Sequence, residues 1–323
     1  ENSFRLLFCC CRKKSAKISR RKEFHYASTI FHRFPANALL CHRCCSPEAK
    51  RGDFKVRAAG NRLQNSLGTK SFLHVCNLSD FAGTTASGLY EAKLGREEMG
   101  GEVHIFSPAY PEQDFPEICA ISDHIVFNSF HQWQLHKAFV QSCGRPISCG
   151  IRINPEYAEV ETDLYNPCIP GSRMGTTISQ FSEEAFDGLD GIHFHTMCEQ
   201  DAPVLERTLE HVMEKFDPYL KRCKWVNFGG GHHITRPGYD MATLERCIRR
   251  AQHDWGVTVY LEPGEACALN AGYLLTHVLD VVQNGDTTIA ILDASAACHM
   301  PDVLEMPYRP GLLYECCGGL RQA

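Results

Sequence analysis

Short apolar segments alternate with helical segments along most of the chain, and this alternation constrains the fold more than any other feature. Apolar, strand-like segments lie at 103–107, 124–129, 147–155, 189–196, 224–228 and 257–261. Segments with apolar residues at helical spacing lie at 87–100, 130–143, 202–223 and 242–256. Strands that alternate with helices form parallel sheets, because each helix returns the chain to the starting edge of the sheet.

Polar residues that suit catalysis or binding lie at or directly after the predicted strand ends. His195, Gly229 and Glu262 are examples. The loops after the strands build the active site of a (β/α)8 barrel. A Rossmann-like sheet is the alternative, but no G-x-G-x-x-G motif follows an early strand and opens a helix. The sequence therefore predicts an α/β fold with a (β/α)8, or TIM, barrel.

The last part of the chain has a different pattern. Segments 277–282 and 287–292 are predicted strands joined at Asn284-Gly285, a dipeptide typical of tight hairpins. We therefore assign residues 71–276 to the barrel. Residues 277–323 are expected to be the start of a C-terminal β domain that is truncated.

Residues 1–70 differ in charge from the rest. They carry 16 Lys and Arg against 4 Asp and Glu, whereas the remaining residues carry 17 against 34. The segment shows no sustained period and holds six of the 18 cysteines, so we expect it to be disordered or non-homologous. A transit peptide is one alternative. A nucleic-acid-binding arm is disfavoured, because the aromatic residues are not arranged as a stacking platform.

Composition limits which cellular compartment and which binding partners are expected for the chain. No run of eighteen apolar residues exists, so we expect no membrane span. Cysteines scattered singly through apolar segments are typical of reduced thiols, which favours the cytoplasm, or an organelle if residues 1–70 are a transit peptide. The acidic body suits a cationic small molecule, although ordinary solubility explains it equally.

Three groups of residues have chemistry suited to a site. The Gly229-Gly230-Gly231 run allows backbone N–H groups to approach an anion, or it is a flexible turn. Glu262 and Glu265 can hold a proton on a heterocyclic nitrogen or bind an ammonium group or a metal. Alternation places His193 and His195 on one face of their strand. No H-E-x-x-H or comparable ligand spacing is present, so we expect no metal.

Six segments together resemble the carboxynorspermidine decarboxylase family. They are GTTASGLYEAKLGREEMG (83–100), RINPEYAEVETDLYNPCIPGSRMG (152–175), GIHFHTMCEQ (191–200), KWVNFGGGHHITR (224–236), LEPGEA (261–266) and ILDASAACHMPDVLEMPYRP (291–310). The resemblance covers about residues 80–310. It implies a homodimeric, pyridoxal-phosphate-dependent lyase of polyamine biosynthesis, with a barrel and a C-terminal β domain as in alanine racemase and ornithine decarboxylase.

The resemblance also implies cofactor contacts. His195 stacks on the cofactor ring, the glycines Gly229, Gly230 and Gly231 bind its phosphate, and Glu262 pairs with the pyridine nitrogen. Ser87 and Arg173 lie nearby in supporting roles, as does Glu91. Because the ring takes up the electrons released by decarboxylation only while its nitrogen is protonated, a carboxylate partner suits this chemistry.

The implied substrate is carboxynorspermidine or carboxyspermidine, and the implied product is norspermidine or spermidine. Glu265 and Asp302 are the implied substrate contacts. The family binds its cofactor covalently through a lysine on the first barrel strand. Lys70, thirteen residues before Gly83, is the best candidate here, although its context, Lys70-Ser71-Phe72, departs from the family's pattern.

The match fails at both ends of the pattern. Residues 1–69 do not resemble the start of the family's barrel, so we expect the barrel to be N-terminally incomplete. The residues after Pro310 do not resemble the rest of the β domain. The alternatives are therefore a catalytically impaired fragment or pseudoenzyme of this family, or a related diaminopimelate- or ornithine-type decarboxylase.

Overall fold

A computed structural model describes residues 83–265, 274 and 276–305, except the side chains of Asp302 and Glu305. It also describes the backbone of residues 63–68, 313–316 and 319–322. The chain divides into two compact units, one spanning residues 46–269 and another that includes residues 270–323. The division falls slightly before residue 276, where the sequence predicted it.

Eight parallel strands close into a barrel in chain order, with β1 hydrogen-bonded to both β2 and β8. The strands are β1 Leu63–Gly68, β2 Gly83–Ala86, β3 Glu102–Phe106, β4 His124–Phe127, β5 Ser148–Arg152, β6 Gly191–His193, β7 Trp225–Asn227 and β8 Thr258–Leu261. The predicted barrel is therefore confirmed, and it has all eight strands although the sequence before residue 70 does not resemble the start of the family's barrel.

In the described ranges, helices follow strands β2 to β7 and cover the outside of the barrel. They are α1 Leu89–Leu94, which continues as a π-helical turn at Gly95–Met99, α2 Phe115–Ile121, α3 Phe130–Ser142, α4 Glu183–Phe186, α5 Ala202–Leu220 and α6 Met241–Trp255. The predicted bounds of α3, α5 and α6 are confirmed to within three residues. None of the helices in the described ranges is long and apolar enough to cross a membrane.

Capping residues explain the sharp ends of the long helices. The Asp201 side chain accepts a hydrogen bond from Ala202 N at the start of α5, and Asp240 accepts one from Thr243 N at the start of α6. Gly256 ends α6 in a left-handed conformation with φ 71°, which a residue without Cβ adopts at low cost.

Two barrel strands, β1 and β2, are not evident from the sequence pattern. β1 includes Gln64, Asn65 and Ser66, a composition typical of a loop. It nevertheless pairs with β2 and β8, so the barrel begins before residue 71, earlier than predicted. β2 is only four residues long and starts at Gly83, where a Cβ atom would collide with the Glu102 backbone. The glycine therefore allows β2 to lie against β3.

Successive residues on each strand face opposite layers. On β4, Ile125 and Phe127 belong to the main apolar core between the strands and the helices, whereas Val126 packs with Trp225 and Tyr260 in a separate cluster. Because side chains alternate across a strand, this second cluster fills the barrel interior. The core is thus two concentric apolar layers separated by the sheet.

Trp225 fills the barrel interior beside two glycines. A Cβ atom on Gly150 would lie 2.7 Å from Trp225 Cζ2, and one on Gly191 would lie 2.5 Å from Trp225 Cε3. Real Cβ atoms do not approach that closely, so the two glycines provide the space for one indole. Its Nε1 donates to Ser148 Oγ at 2.8 Å, which satisfies the buried polar group.

A polar cluster lies next to this indole, near the N-terminal ends of the strands. His104 and His124 stack with ring centroids 3.9 Å apart and planes 5° apart. Glu102 Oε2 lies 3.0 Å from His104 Nε2 and accepts from Tyr260 Oη at 3.1 Å. These contacts join β3, β4 and β8 and close this end of the barrel.

The unit that includes residues 270–323 contains two β-hairpins. Strands β9 Val278–Asn284 and β10 Thr287–Leu292 are antiparallel, and Gly285 and Asp286 form the turn between them. This confirms the predicted hairpin, with the turn shifted by one residue. Two short helices, α7 Ala296–His299 and α8 Asp302–Glu305, and a second hairpin of β11 Leu313–Cys316 and β12 Gly319–Gln322 follow.

Candidate active site

Four polar side chains lie inside the barrel at the C-terminal ends of neighbouring strands. Arg152, His193 and Asn227 end β5, β6 and β7 and are paired in register, and Glu262 directly follows β8. The first three are 3% exposed or less. This is the end of the barrel at which TIM-barrel enzymes place their active sites. Buried polar groups at such a place require specific partners.

Glu262 is held by two of these neighbours. Its Oε1 accepts from Asn227 Nδ2 at 2.8 Å, and its Oε2 lies 3.4 Å from His193 Nε2. Burial alone would raise the pKa of the carboxyl group, but the attraction of His193 and the hydrogen bonds from His193 and Asn227 hold that pKa at about 2. Glu262 is therefore ionised at neutral pH.

His193 supports Glu262 through its Nε2 atom. Burial lowers the pKa of His193 below its usual value, and the nearby Glu262 opposes that shift only partly. Because the Glu262 oxygen can only accept, the 3.4 Å approach of Nε2 assigns a proton to Nε2. The ring also lies parallel to Phe106, with centroids 5.4 Å apart and planes 16° apart. His193 therefore positions the carboxylate.

His195 lies two residues beyond His193 and against the glycine run. Its Nδ1 accepts from Gly230 N at 2.9 Å, which assigns the proton to Nε2. Burial, together with the positive charge of Arg152, lowers the pKa of His195 to about 3. The imidazole is therefore neutral. As alternation predicted, both histidines lie on the Glu262 side of the strand, and Glu262 acts electrostatically on each.

Arg152 is the buried cation of the site. Its Nη2 donates to the His195 carbonyl at 3.2 Å, and its guanidinium lies 4.7 Å from the Phe106 ring centroid. Burial lowers the pKa of Arg152 to about 10 and the charge of Glu262 opposes that shift, so the group stays protonated near neutral pH. The site therefore pairs one buried cation with one buried anion.

The glycine run is tightly packed and is not a flexible turn. Gly229 and Gly231 have φ of 71° and 81°, which favour glycine. A Cβ atom would lie 2.5 Å from Phe194 O at Gly229, 2.8 Å from Glu262 O at Gly230, and 2.9 Å from Cys198 N at Gly231. The turn thus fits between the loops that follow β6 and β8.

Two amides of the run already have partners inside the protein. Gly229 N donates to Asn227 Oδ1 at 2.8 Å, and Gly230 N donates to His195 Nδ1 at 2.9 Å. Thr196, on the loop that packs against the turn, has a buried hydroxyl without a hydrogen-bond partner in the described part of the chain. Backbone N–H groups of a glycine turn and an unsatisfied hydroxyl are donors of the kind that fit a phosphate.

Ser87 and Arg173 lie further from this cluster. Ser87 donates from N and Oγ to Glu91 Oε2 at 2.6 Å, which fixes the start of α1 after β2. Arg173 is exposed, and its carbonyl accepts from Asn128 Nδ2 at 2.8 Å. Arg173 acts on the site through its charge, which contributes to lowering the pKa of Arg152 after the larger effect of burial.

Glu265 lies in the short helical turn after β8, beside His233. The Glu265 Oε2 to His233 Nε2 distance is 3.2 Å, and the Glu265 side chain is half exposed. The structure thus places Glu262 and Glu265 in different surroundings, one held by hydrogen bonds at the barrel end and the other open to solvent. The side chains of Lys70 and Asp302 lie outside the described residues, and their roles stay predictions.

Arg152, Asn227 and Thr196 were not predicted from the sequence as candidate site residues. Arg152 and Gly150 alternate on a predicted strand, so a charged residue at the strand end was the available signal. Asn227 stands at the corresponding place on β7. Position at a strand end therefore predicts these two residues better than residue type does.

Two groups of side chains have the composition of a metal site. Glu102, His104 and His124 form one, and Glu199, His233 and Glu265 form the other; within each, the ligand atoms lie within 4.8 Å of one another. The two imidazoles of the first group are stacked, so their in-plane nitrogen lone pairs lie in separate parallel planes and do not converge on one ion. The expectation of no metal stays a prediction.

Comparison with known proteins identifies close relatives, although no protein-family profile matches the chain. A carboxyaminopropylagmatine decarboxylase of Synechocystis is 42% identical over 236 residues, 72% of this chain and 60% of the relative. A carboxynorspermidine/carboxyspermidine decarboxylase of Campylobacter jejuni is 44% identical over 231 residues, 72% of this chain and 59% of the relative. The chain spans about three fifths of the length of these curated relatives.

Solved structures give the same result. The carboxynorspermidine decarboxylase of Campylobacter jejuni, in complex with norspermidine, superposes with a TM-score of 0.71 at 36% identity. The match covers 83% of this chain and 68% of the Campylobacter chain. A diaminopimelate decarboxylase of Helicobacter pylori, in complex with L-lysine, has a TM-score of 0.68 at 15% identity, with 89% and 77% coverage. The second likeness supports the fold alone.

Proposed function

The chain belongs to the carboxynorspermidine decarboxylase family, and we propose that it catalyses the pyridoxal-phosphate-dependent decarboxylation of carboxynorspermidine or carboxyspermidine in polyamine biosynthesis. The observation that carries this proposal is the buried, ionised Glu262 beside a neutral His195 and a packed glycine turn. The proposal assigns that cluster to the cofactor.

Pyridoxal phosphate supplies an electron sink that accepts the electron pair left when the substrate's carboxylate departs as CO2. Glu262 is the residue that we assign to the ring nitrogen. A carboxylate with a pKa of about 2 stabilises a proton on that nitrogen electrostatically and does not take the proton itself. Asn227 and His193 keep its two oxygens in place, so its orientation is fixed before any ligand binds.

His195 is assigned to the face of the ring. Its neutral imidazole offers a flat surface without adding a positive charge next to a protonated ring. The bond from Gly230 N to His195 Nδ1 fixes the plane of the imidazole. Arg152 holds the chain just after His193 through the His195 carbonyl.

The phosphate end is assigned to the glycine turn and the hydroxyl next to it. Because Gly229 N and Gly230 N already donate within the protein, Gly231 N and Thr196 Oγ1 are the donors that we assign to the phosphate oxygens. This refines the expectation that all three glycine amides bind it. A buried hydroxyl that gains a partner on binding also stabilises the complex.

The substrate assignment rests on the relatives and on charge. Curated relatives at 44% and 37% identity are named carboxynorspermidine/carboxyspermidine decarboxylases. Residues 71–323 carry 34 acidic against 17 basic residues, a balance that attracts a polyamine. Glu265 and Asp302 are the residues proposed to contact it, and Lys70 is the lysine proposed to bind the cofactor covalently.

We further propose a homodimer in the cytoplasm. The eight cysteines of the described residues, for example Cys119 and Cys247, are free thiols, as a reducing compartment favours. Light scattering of the cofactor-loaded chain should give twice the monomer mass. A monomer mass would refute the dimer.

Substrate preference tests the proposed function. The purified chain, supplied with pyridoxal phosphate, should release CO2 from carboxynorspermidine or carboxyspermidine at least tenfold faster than from diaminopimelate or ornithine. Carboxyaminopropylagmatine belongs in the same series, because a relative at 42% identity is named for it. A faster rate with diaminopimelate, or no CO2 from any of the five, would refute the proposal.

A further inference from the structure

A cluster of hydrogen-bond acceptors consists of Glu199, His233 and Glu265. The proposed function gives no shared role to these three residues. They lie on the three loops that follow β6, β7 and β8, and their ligand atoms lie within 4.8 Å of one another. Glu199 is exposed and Glu265 is half exposed, whereas His233 is only 5% exposed. The cluster therefore presents two solvent-accessible carboxylates above a buried imidazole.

Backbone hydrogen bonds fix the loops that carry the cluster. Gln200 N donates to Gly231 O at 2.9 Å, and His233 N donates to Gln200 O at 3.3 Å. Gly231 permits this contact, because a Cβ atom there would meet the Met197–Cys198 backbone. Glu199 precedes the bridge in a left-handed conformation with φ 54°. The cluster is thus held in place by the same turn that the proposed cofactor site uses.

The buried His233 ring lacks hydrogen bonds. Neither Nδ1 nor Nε2 has a hydrogen-bond partner in the described part of the chain, and the 3.2 Å approach of Nε2 to Glu265 is an ion-pair distance without hydrogen-bond alignment. Leaving such a buried group unsatisfied is unfavourable. A ligand with a donor at this point would recover that cost.

The electrostatic field at the cluster is negative. Burial raises the pKa of the neighbouring Cys198 thiol, and the charges of Glu199 and Glu265 raise it further. Within the described residues, the ion-pair partner of Glu265 is His233, and Glu199 has no Lys or Arg partner. Two carboxylates and one imidazole have a net negative charge in either protonation state of the imidazole, so the cluster favours a cation and repels a carboxylate.

We infer that this acceptor cluster binds the terminal ammonium at the uncarboxylated end of the polyamine. An alkylammonium has three N–H donors and no acceptor, and the cluster offers two carboxylates and one imidazole nitrogen. The inference rests on the proposed function and adds Glu199 and His233 to it as residues that determine specificity. It also orients the substrate, because the two carboxylates exclude the carboxylated end.

Binding of norspermidine, which needs no turnover, tests the inference. Calorimetry on the full cofactor-loaded chain should give a dissociation constant at least tenfold higher for Glu199→Gln than for the parent, as expected for the loss of one charge-assisted hydrogen bond. Glu214→Gln, an identical change at an exposed position of α5, should bind within twofold of the parent. Dipropylamine, which lacks both terminal ammonium groups of norspermidine, should bind the parent and Glu199→Gln with similar affinity.

The outcomes of the calorimetry distinguish a failure of this inference from a failure of the proposed function. Equal norspermidine affinity of the parent and Glu199→Gln, with unchanged melting temperature, overturns the inference and leaves the proposed function intact. No norspermidine binding by the parent refutes the proposed substrate class. Micromolar Zn²⁺ binding that Glu199→Gln abolishes, and that blocks norspermidine, would assign the cluster to a metal and overturn the inference. If Glu199→Gln does not fold, Glu265→Gln on the neighbouring loop provides the same comparison.

Discussion

Asn227 connects Glu262 to the glycine turn with both ends of one amide. Its Nδ2 donates to Glu262 Oε1 at 2.8 Å, and its Oδ1 accepts from Gly229 N at 2.8 Å. Neither a carboxylate nor an apolar side chain can make both bonds. The residue assigned to the ring nitrogen and the turn assigned to the phosphate are therefore positioned by the same side chain, so a change at Asn227 should affect both ends of the cofactor.

Replacing this amide tests that coupling. Asn227→Asp removes the donor and places a second carboxylate beside Glu262, which raises the pKa of Glu262 through like-charge repulsion. We expect the affinity for pyridoxal phosphate to fall at least tenfold in an absorbance titration. Asn284→Asp in the β9–β10 hairpin makes the same chemical change at an exposed position and should leave it unchanged. Equal affinities for the parent and Asn227→Asp would contradict the coupling.

The stability of the barrel should fall as the pH drops from 7.5 to 5.5. Burial, aided by positive charge, lowers the pKa of His124 and His195 to about 3, and burial lowers that of His232 to about 4. These groups titrate near 6.5 in an unfolded chain. Below that pH the unfolded state therefore binds protons that the folded state does not, and each histidine costs about 1.4 kcal/mol per pH unit.

Urea unfolding at the two pH values measures this effect. All three tryptophans, including Trp225, lie in the barrel unit, so their fluorescence reports on the barrel. We expect the unfolding free energy to be about 4 kcal/mol lower at pH 5.5 than at pH 7.5. In His124→Asn the difference should shrink by about 1.4 kcal/mol. A barrel equally stable at both pH values would show that these histidines are protonated when folded.

Gly191 should be essential for stability, because Trp225 occupies the place of a β-carbon. Gly191→Ala forces the indole or β6 to move, and overpacking of this kind costs about 1–3 kcal/mol or more. Gly88→Ala is the control, since nothing lies within 4 Å of a Cβ atom there and its φ is −170°. Thermal unfolding should show a large loss for the first variant and a small one for the second. Similar melting temperatures would contradict the packing of the barrel interior.

The sequence predicted those parts of the fold that depend on apolar periodicity. Helices α5 and α6 have an apolar stripe from which their approximate bounds followed, and the structure adds a capping aspartate at the start of each. Strand β1 could not be predicted, because its polar residues have low strand propensity and form a strand only by pairing with β2 and β8. A strand fixed by long-range pairing leaves little local signal.

Glu262, His195 and the glycine run were singled out by their position at strand ends. Their roles followed only from the family resemblance, because a strand-end carboxylate also fits an ammonium or metal site and three glycines also fit a flexible turn. The roles of Asn227 and Arg152 depend on which strands are neighbours, and that follows only from barrel closure. The left-handed Glu199 beside His233 likewise depends on the contact between two loops.

Whether Lys70 binds the cofactor covalently can be tested without knowing where its side chain lies. Borohydride reduction of the chain with bound pyridoxal phosphate should fix the cofactor to the lysine that binds it covalently, and mass spectrometry of the peptides should identify Lys70. Lys93, which pairs with Glu117 at 2.8 Å, should stay unmodified. Labelling of another lysine would correct the assignment, and no labelling would favour the catalytically impaired alternative.

Single-turnover decarboxylation of carboxynorspermidine by the parent and by Glu262→Gln, both saturated with pyridoxal phosphate, tests the central claim most directly. The substituted amide would keep an acceptor and lose the charge, so the ring nitrogen would no longer be held protonated. We predict CO2 release at least a hundredfold slower in the variant, a loss of about 2.7 kcal/mol of transition-state stabilisation. Equal rates, or no CO2 from the parent, would contradict the account.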